Sequence, residues 1–387
     1  MKVLHIIPSL VKGGAERLVL DICQELMTRK NVEVKLLIFR NANDYADLSH
    51  AIDLTICPAR FIPSITGASL IELDNFKEFL DDSSPDIIHS HLFEAEVVSR
   101  EYILPKTIYF THAHDSMIQF RNFGFNTLLK KSGITNWYET HHLLKKYDRI
   151  TNYFIANSHD TFSYLKKNLP DRFHSRLIEL PNAINIEAFN FCKRMKPINE
   201  LRLITTGSLV PKKNHVFLLE VMKELRRSPY KVHLDILGDG PLRTFLTEKA
   251  RDRQLEDEIS FHGTVNDVFH FLSTSHVYVH PATYEPFGLV IVEAMATGLP
   301  VVCLDAKGNR GIVDDGVNGF MIEKPDAKLF AQKILEIVQD GETYQLFSSR
   351  ARKKAEQYDI KDYTDKLMGC YQQALSKKDK TSSMNSG

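Results

Sequence analysis

The sequence predicts an α/β protein made of two units, each a parallel sheet with helices on both faces. Length is the first reason, because 387 residues exceed what one hydrophobic core of ~100–200 residues usually organises. The second is alternation: short β-branched runs exchange with segments of helical period over most of the chain, the pattern of strand–helix–strand crossovers. The third is a restart of that alternation after about residue 200.

In the first half, strands are expected at Val3–Ile7, Val32–Phe39, Leu54–Cys57, Asp86–His89, Thr107–Phe110, Tyr153–Ala156 and Leu177–Leu180. Each is too short for a stable helix and rich in strand-forming residues. The second half repeats the plan at Leu201–Thr205, Val232–Leu237, Ile259–Phe261, Val277–His280, Pro300–Cys303 and Gly319–Ile322. Asn182–Glu200 shows no clear period and is read as the linker, giving domains 1–184 and 185–359. The last helical pattern, about Asp362–Leu375, follows two others with no strand between them. It could pack outside the second sheet, although a helix at 360–376 is expected to rejoin the first domain. Ser376–Gly387 has Met384 as its only apolar residue, so a disordered tail is expected at 377–387.

Composition excludes several classes. The 49 Lys+Arg cancel the 49 Asp+Glu, so no whole-protein basic field exists to hold a polyanion, and no nucleic-acid partner is expected. The 5 cysteines, Cys23, Cys57, Cys192, Cys303 and Cys370, are odd in number and lack a C-x-x-C, which argues against a disulfide framework or zinc knuckle. The apolar start Val3–Val11 contains His5 and Pro8 and runs into Gly13-Gly14 without a cleavage signature, so it reads as a buried strand rather than a signal peptide. No apolar run approaches the roughly 20 residues of a membrane span. A cytoplasmic location is expected, including the inner face of a membrane.

Pro281–Pro300 carries the most chemistry. A buried strand should end at His280-Pro281, a polar loop carries Glu285, and a helix should begin near Phe287 with Glu293 about two turns in. In an open α/β sheet, ligands bind at the carboxyl ends of strands, where bare N–H groups of a helix start attract phosphate. Gly288 allows close approach, and the two carboxylates could accept hydrogen bonds from a sugar and a ribose flanking a diphosphate. Taken alone, the same two glutamates also read as a helix cap and a surface residue.

Glu285 and Glu293, an E-x7-E with Phe287-Gly288-Leu289 and Glu293-Ala294-Met295-Ala296-Thr297-Gly298-Leu299-Pro300, resemble the donor site of retaining glycosyltransferases of the GT-B fold, family 4 (glycosyl transferases group 1). Gly207-Ser208-Leu209-Val210-Pro211-Lys212-Lys213-Asn214, Gly238-Asp239-Gly240-Pro241-Leu242 and Phe261-His262-Gly263 resemble other loops of that family's second domain, in the same order. Near the N-terminus, Gly13-Gly14-Ala15-Glu16 looks like its glycine-rich acceptor loop. The resemblance spans nearly the whole chain except about 119–149. It implies two Rossmann-like domains facing a central cleft, the first for acceptor and the second for a nucleotide diphosphate sugar such as a UDP-sugar, with no cofactor. Glu293 would then hold the ribose, Glu285 a sugar hydroxyl and Lys213 the diphosphate. Ser208, Phe287, Gly288 and Leu289 would complete the donor site, and Gly13, Gly14 and Glu16 would serve the acceptor. One departure stands out: the family commonly has arginine where this chain has Ser208, and Arg310 and Lys212 are candidate replacements for that charge.

The chain has no D-x-D, a usual carboxylate pair for a divalent ion on a diphosphate, so metal-independent transfer is expected. His89-Ser90-His91 and His112-Ala113-His114 are H-x-H pairs at expected strand ends, a spacing that can ligate zinc. No third ligand cluster follows in sequence and H-E-x-x-H is absent, so no metal site is assigned. The resemblance instead points to a histidine lining the reaction centre; His114 before Asp115 matches best, and His112 is second.

Gly238-x-Gly240 lacks the third glycine of a dinucleotide fingerprint, and no Walker loop or G-x-S-x-G is present. Between Arg121 and Arg149, six basic residues are interleaved with aromatic ones, including Trp137 and Tyr138. That surface suits anionic lipid headgroups or serves as a solvated helical cover. The expected reaction is transfer of a hexosyl or N-acetylhexosaminyl group to a hydroxyl of a glycan, lipid-linked or protein-linked acceptor. A glycosidase using Glu285 and Glu293, a nucleotide-sugar epimerase of the same fold and a non-catalytic partner are the rivals.

Overall fold

The computed structural model describes residues 1–62, 70–115, 117, 120 and 131–384. The chain divides into two units, Met1–Asn182 together with Ile360–Gly387, and Ala183–Asp359.

In the first unit, β1 (Lys2–Ile7), β2 (Glu33–Ile38), β3 (Asp53–Ile56), β6 (Ile87–His91), β7 (Ile108–Ala113), β8 (Asn152–Ala156) and β9 (Leu177–Glu179) form a parallel sheet in the order β3-β2-β1-β6-β7-β8-β9. The short β4 (Arg60–Ile62) and β5 (Leu70–Glu72) pair antiparallel apart from it. Its helices are α1 (Gly14–Met27), α2 (Ala46–Ser49), α3 (Asp74–Ser83), α4 (Phe93–Ser99), α5 (Lys131–Tyr147) and α6 (His159–Asn168).

The second unit repeats the plan with β10 (Glu200–Thr206), β11 (Lys231–Leu237), β12 (Ile259–Gly263), β13 (Val277–His280), β14 (Val301–Leu304) and β15 (Gly319–Ile322), in the order β12-β11-β10-β13-β14-β15. Around it lie α7 (His215–Leu225), α8 (Arg243–Asp252), α9 (Val268–Thr274), α10 (Leu289–Ala296), α11 (Ala327–Ile337) and α12 (Gly341–Ala355). The terminal α13 (Ile360–Met384) belongs to the first unit.

Both sheets are covered on two faces, which is why their strands read as continuous apolar runs. Leu203, Val277, Val279 and Val302 enter one core of the second unit, while their neighbours Ile204, Tyr278, Val301 and Cys303 enter the other. That division follows from the alternation of side chains along a strand. Every strand of the expected set is present to within a few residues; the β4–β5 pair was not foreseen.

Two expectations are corrected. Residues 183–200 are not a free linker: Ile184, Ile186 and Phe189 are buried in the second core. The buried Arg194 donates to the carbonyls of Leu272 at 2.9 Å and Thr297 at 3.3 Å. Apolar residues too irregularly spaced for a helix or strand can still pack, and periodicity cannot detect them. The tail expected to be disordered is helical to Met384, and residues 385–387 lie outside the described residues. Tyr363, Leu367, Tyr371 and Ala374 are buried at helical spacing, so docking of α13 stabilises a helix whose end the polar composition alone would leave unfolded. Lys378 also donates to the Pro105 carbonyl at 3.0 Å. Among the described residues no helix is long and apolar enough to cross a membrane.

Behind the first sheet, Arg100 and Glu96 are 0% and 1% exposed and lie 3.2 Å apart. Arg100 also donates to Ser90 at 2.9 Å and Asn152 at 2.8 Å, and Glu96 accepts from Thr111 at 2.6 Å and Tyr147 at 2.7 Å. Removing one charge of such a pair strands the other. Arg100→Ala is expected to destabilise the first unit by about 3–5 kcal/mol. Urea unfolding followed by the fluorescence of Trp137, the only tryptophan, reads that unit; an unchanged midpoint would show that the network contributes nothing.

Candidate active site

The order of the second sheet reverses between β10 and β13, which are adjacent and parallel. Their onward connections leave in opposite directions, so the loops after these strands flank a crevice at the carboxyl edge. The first loop turns through a short 3₁₀ segment, Pro211–Lys213. The second runs from Pro281 to Gly288. They are tied together: Thr283 N–H donates to the Lys212 carbonyl at 3.1 Å and Asn214 Nδ2 to the Pro281 carbonyl at 3.3 Å.

Between these loops the Lys213 ammonium donates to the Glu285 carboxylate as an ion pair. Glu285 is 8% exposed. His280 Nε2 stands 3.2 Å from Glu285 Oε2. Burial alone would push the Glu285 carboxyl up. The adjacent His280 and the Lys213 charge outweigh it and hold the group down to about 2. Burial dominates for the neighbouring His215, whose ring is held down to about 3, with His280 and Lys213 adding to the effect. The ion pair therefore stands beside two buried imidazoles, His280 and His215. His280 and His215 had not been singled out as site residues from sequence; each adjoins a stretch quoted above, but nothing in the spacing showed that they converge.

Gly288 adopts φ 105° and caps α10, a conformation that side chains disfavour. The N–H groups of Leu289 and Val290 precede the first intrahelical acceptor, the Gly288 carbonyl bonded by Ile291 at 2.9 Å, and so point out of the helix start. Because the helix begins at Leu289 rather than near Phe287, Glu293 lies just over one turn in, not two. Glu293 is half-buried. Burial, with the charges of Glu293 and Glu285 adding to it, raises the Tyr278 hydroxyl. The Phe287 ring is 4% exposed and packs edge-on against Tyr358 with centroids 5.5 Å apart. It is a core side chain that fixes the loop, and only its backbone can meet a ligand.

Ser208 is exposed on the loop after β10. That loop approaches the next one so closely that a Cβ on Gly238, itself at φ 124°, would collide with the Gly207 carbonyl. Of the two cations considered in place of the missing arginine, Arg310 is held by Asp305 at 2.6 Å, and Lys212 lies over the Tyr284 ring at 5.7 Å.

In the first unit, Gly13 caps α1, and its N–H donates to the Tyr45 hydroxyl at 3.2 Å. Gly14 is exposed, whereas Glu16 is buried and its carboxylate folds back over Gly13, where no Cβ could fit. Burial raises the Glu16 carboxyl. Glu16 is the third residue of α1, with its carboxylate lying over the helix start.

His114 is half-buried just past β7, with Nε2 2.9 Å from Nδ1 of His91. His91 Nε2 lies 2.9 Å from His5 Nδ1, and His5, His89, His91 and His112 are all buried. The third ligand position judged absent in sequence is supplied by His5 on β1 and by the pairing of His91 with His112 across β6 and β7. Burial pushes all five rings down, His5 to about 3 and His112 to about 4, and neighbouring imidazoles add to the effect for every ring except His112.

Of the proposed lipid-facing surface, residues 121–130 lie outside the described residues. In α5, Trp137 and Ile134 are exposed, while Leu143 and Tyr147 are buried and Lys146 is paired with Glu101 at 3.0 Å.

The Glu285 ionisation makes an acid-range prediction. Its carboxyl falls from 4.5 to about 2 on folding, so its contribution to stability is complete above pH 4.5 and is lost as pH falls toward 2. The stability advantage of wild type over Glu285→Gln, from urea unfolding by circular dichroism, is expected to be level at higher pH and to shrink below 4.5. A pH-independent difference would mean that the pair does not hold the carboxylate.

Comparison with known proteins identifies the family and the fold. The sequence model described as glycosyl transferases group 1 matches residues 189–354, and that of glycosyltransferase family 4 matches residues 12–188. EpsF of Bacillus subtilis (strain 168) is 27% identical over 330 residues, 79% of either chain. The UDP-Gal:alpha-D-GlcNAc-diphosphoundecaprenol alpha-1,3-galactosyltransferase of Escherichia coli is 23% identical over 398 residues, 96% of either chain. Among solved structures, Anabaena HepE in complex with UDP and glucose superposes with a TM-score of 0.74 at 21% identity, over 95% of this chain and 98% of that one. The chain belongs to glycosyltransferase family 4 and has the two Rossmann-like domains of the GT-B fold.

Proposed function

We propose that this chain transfers a hexosyl or N-acetylhexosaminyl group, with retention at the anomeric carbon, from a UDP-sugar to a hydroxyl of a glycan or lipid-linked acceptor in surface polysaccharide or glycoconjugate assembly. The observation that carries this reading is the buried Lys213–Glu285 pair at the switch point of the second sheet, beside the start of α10. A diphosphate leaving group gains negative charge as the glycosidic bond breaks. A fixed ammonium, with donors left over after Glu285, and the N–H groups of Leu289 and Val290 would stabilise that charge. Glu285 would accept a hydrogen bond from a sugar hydroxyl and Glu293 one from the ribose. His114 is assigned to the reaction centre from the first unit. No protein nucleophile is needed: the acceptor hydroxyl attacks from the face the diphosphate leaves, and a phosphate oxygen takes its proton. The E. coli relative is named for a UDP-sugar donor and a lipid-linked acceptor, and HepE was crystallised with UDP and glucose. Those names support the donor class proposed here. The exposed Trp137 and Ile134 support contact with a membrane surface that would present such an acceptor.

The deciding experiment incubates the purified chain with a panel of UDP-sugars, with and without lipid-linked and glycan acceptors, and follows UDP release. Release that depends on an acceptor, with an anomeric proton coupling in the product matching the donor's configuration, is expected; acceptor-independent turnover would identify an epimerase. Glu293→Ala should weaken UDP binding by about 1.5–3 kcal/mol in calorimetry. Glu285→Gln and His114→Ala should each lower kcat on the order of a hundredfold, with UDP affinity changed far less. Transfer is also expected to be metal-independent at the diphosphate. Restoration of EDTA-treated protein specifically by magnesium or manganese would overturn that part.

A further inference from the structure

We propose that His91, His112 and His114 form a binding site for a borderline transition-metal ion of the zinc class. One ring nitrogen from each lies within 4.8 Å of those of the other two. Topology brings them together: His91 and His112 are direct partners across β6 and β7, and His114 follows His112 by two residues, on the same face of the sheet.

The other side of each ring supports a metal-ligating tautomer. His91 Nε2 can donate to His5 Nδ1 at 2.9 Å, leaving Nδ1 as a lone pair directed toward His114. His112 Nε2 lies 3.3 Å from Asn182 Oδ1. Its Nδ1 is buried and has no hydrogen-bond partner among the described residues, the kind of orphan that calls for a ligand. Hydrogen bonds on the far nitrogen orient metal-bound histidines in this way.

Distances decide plausibility. Tetrahedral zinc with Zn–N bonds of ~2.0–2.1 Å needs ligand nitrogens roughly 3.3 Å apart. His91 and His114 stand at 2.9 Å, so they need to open by only a few tenths of an ångström. His112 and His114 stack with centroids 4.1 Å apart, so closure also requires the His114 ring to turn, and its partial exposure leaves it room and an entry path. All-imidazole ligation selects zinc, cobalt or nickel over magnesium, which prefers oxygen.

The test is direct binding to the full chain after EDTA treatment and desalting, and it is read without turnover because His114 is also assigned to the reaction centre. Zinc chloride titrated by calorimetry should bind at one equivalent, magnesium should not compete, and cobalt should give the visible absorption of a nitrogen-ligated tetrahedral site. His91→Gln, His112→Gln and His114→Ala should each weaken zinc by at least about tenfold, and Asn182→Ala by about 10–100-fold through loss of orientation. Circular dichroism checks each fold, and the half-buried His114→Ala keeps the test valid if the inner variants fail to fold. No saturable binding by wild type, or zinc binding unchanged in folded His114→Ala, would overturn the proposal.

Discussion

Holding Glu285 ionised inside the second unit is the constraint on which the carboxyl edge of its sheet depends. A buried carboxylate is tolerated only with a cation beside it, and the cation comes from a different loop, 72 residues away in sequence. The parallel order β10-β13 makes that possible, because it brings the ends of two distant strands side by side. The same pair then fixes the loops: Lys212 and Thr283 share a backbone hydrogen bond at 3.1 Å, and α10 starts four residues after Glu285. Charge, loop geometry and helix start are therefore coupled, and none could shift without exposing the others.

The two units share a topology but spend their interiors differently. In the first, the order again reverses at β1 and β6, yet the residues converging there are histidines rather than an ion pair. The charge of that unit is instead buried behind the sheet, where Glu96 and Arg100 are surrounded by hydroxyl and amide partners. One consequence is a platform under β6 and β7, which carry three of the five clustered imidazoles. A second is that the helix start of α1 is already neutralised by Glu16, so an anion finds a poorer site there than at α10.

How much was legible in the sequence depended on how local each signal was. Strands were readable because β-branched runs in doubly covered sheets leave a continuous apolar signature, and Glu285 was readable because loop, glycine and helix adjoin one another. The partners were not equally readable. Lys213 came through family resemblance, while His280 and His215 carried no local signal for their place at the pair. His5 is a lone polar residue within an apolar strand, 86 residues from its contact His91. Only strand order, which the sequence does not state, brings β1 beside β6. The helical tail failed for the opposite reason: its local composition is polar, and what orders it is a buried face of Tyr363, Leu367 and Tyr371 a few turns upstream.

The departure at Ser208 can be placed in the same physical terms. A loop arginine would bring charge to a position that is exposed in this chain, where solvent screens it, whereas the Lys213 side chain is only 15% exposed. Interactions with a phosphate strengthen as water is excluded, so a half-buried lysine contributes more per charge than an exposed arginine. Arg310, committed to Asp305 through both Nε and an Nη, is not needed to complete that account. The ring of His280 bears on it instead, because it stands 3.2 Å from Glu285 and helps Lys213 to hold that carboxylate ionised.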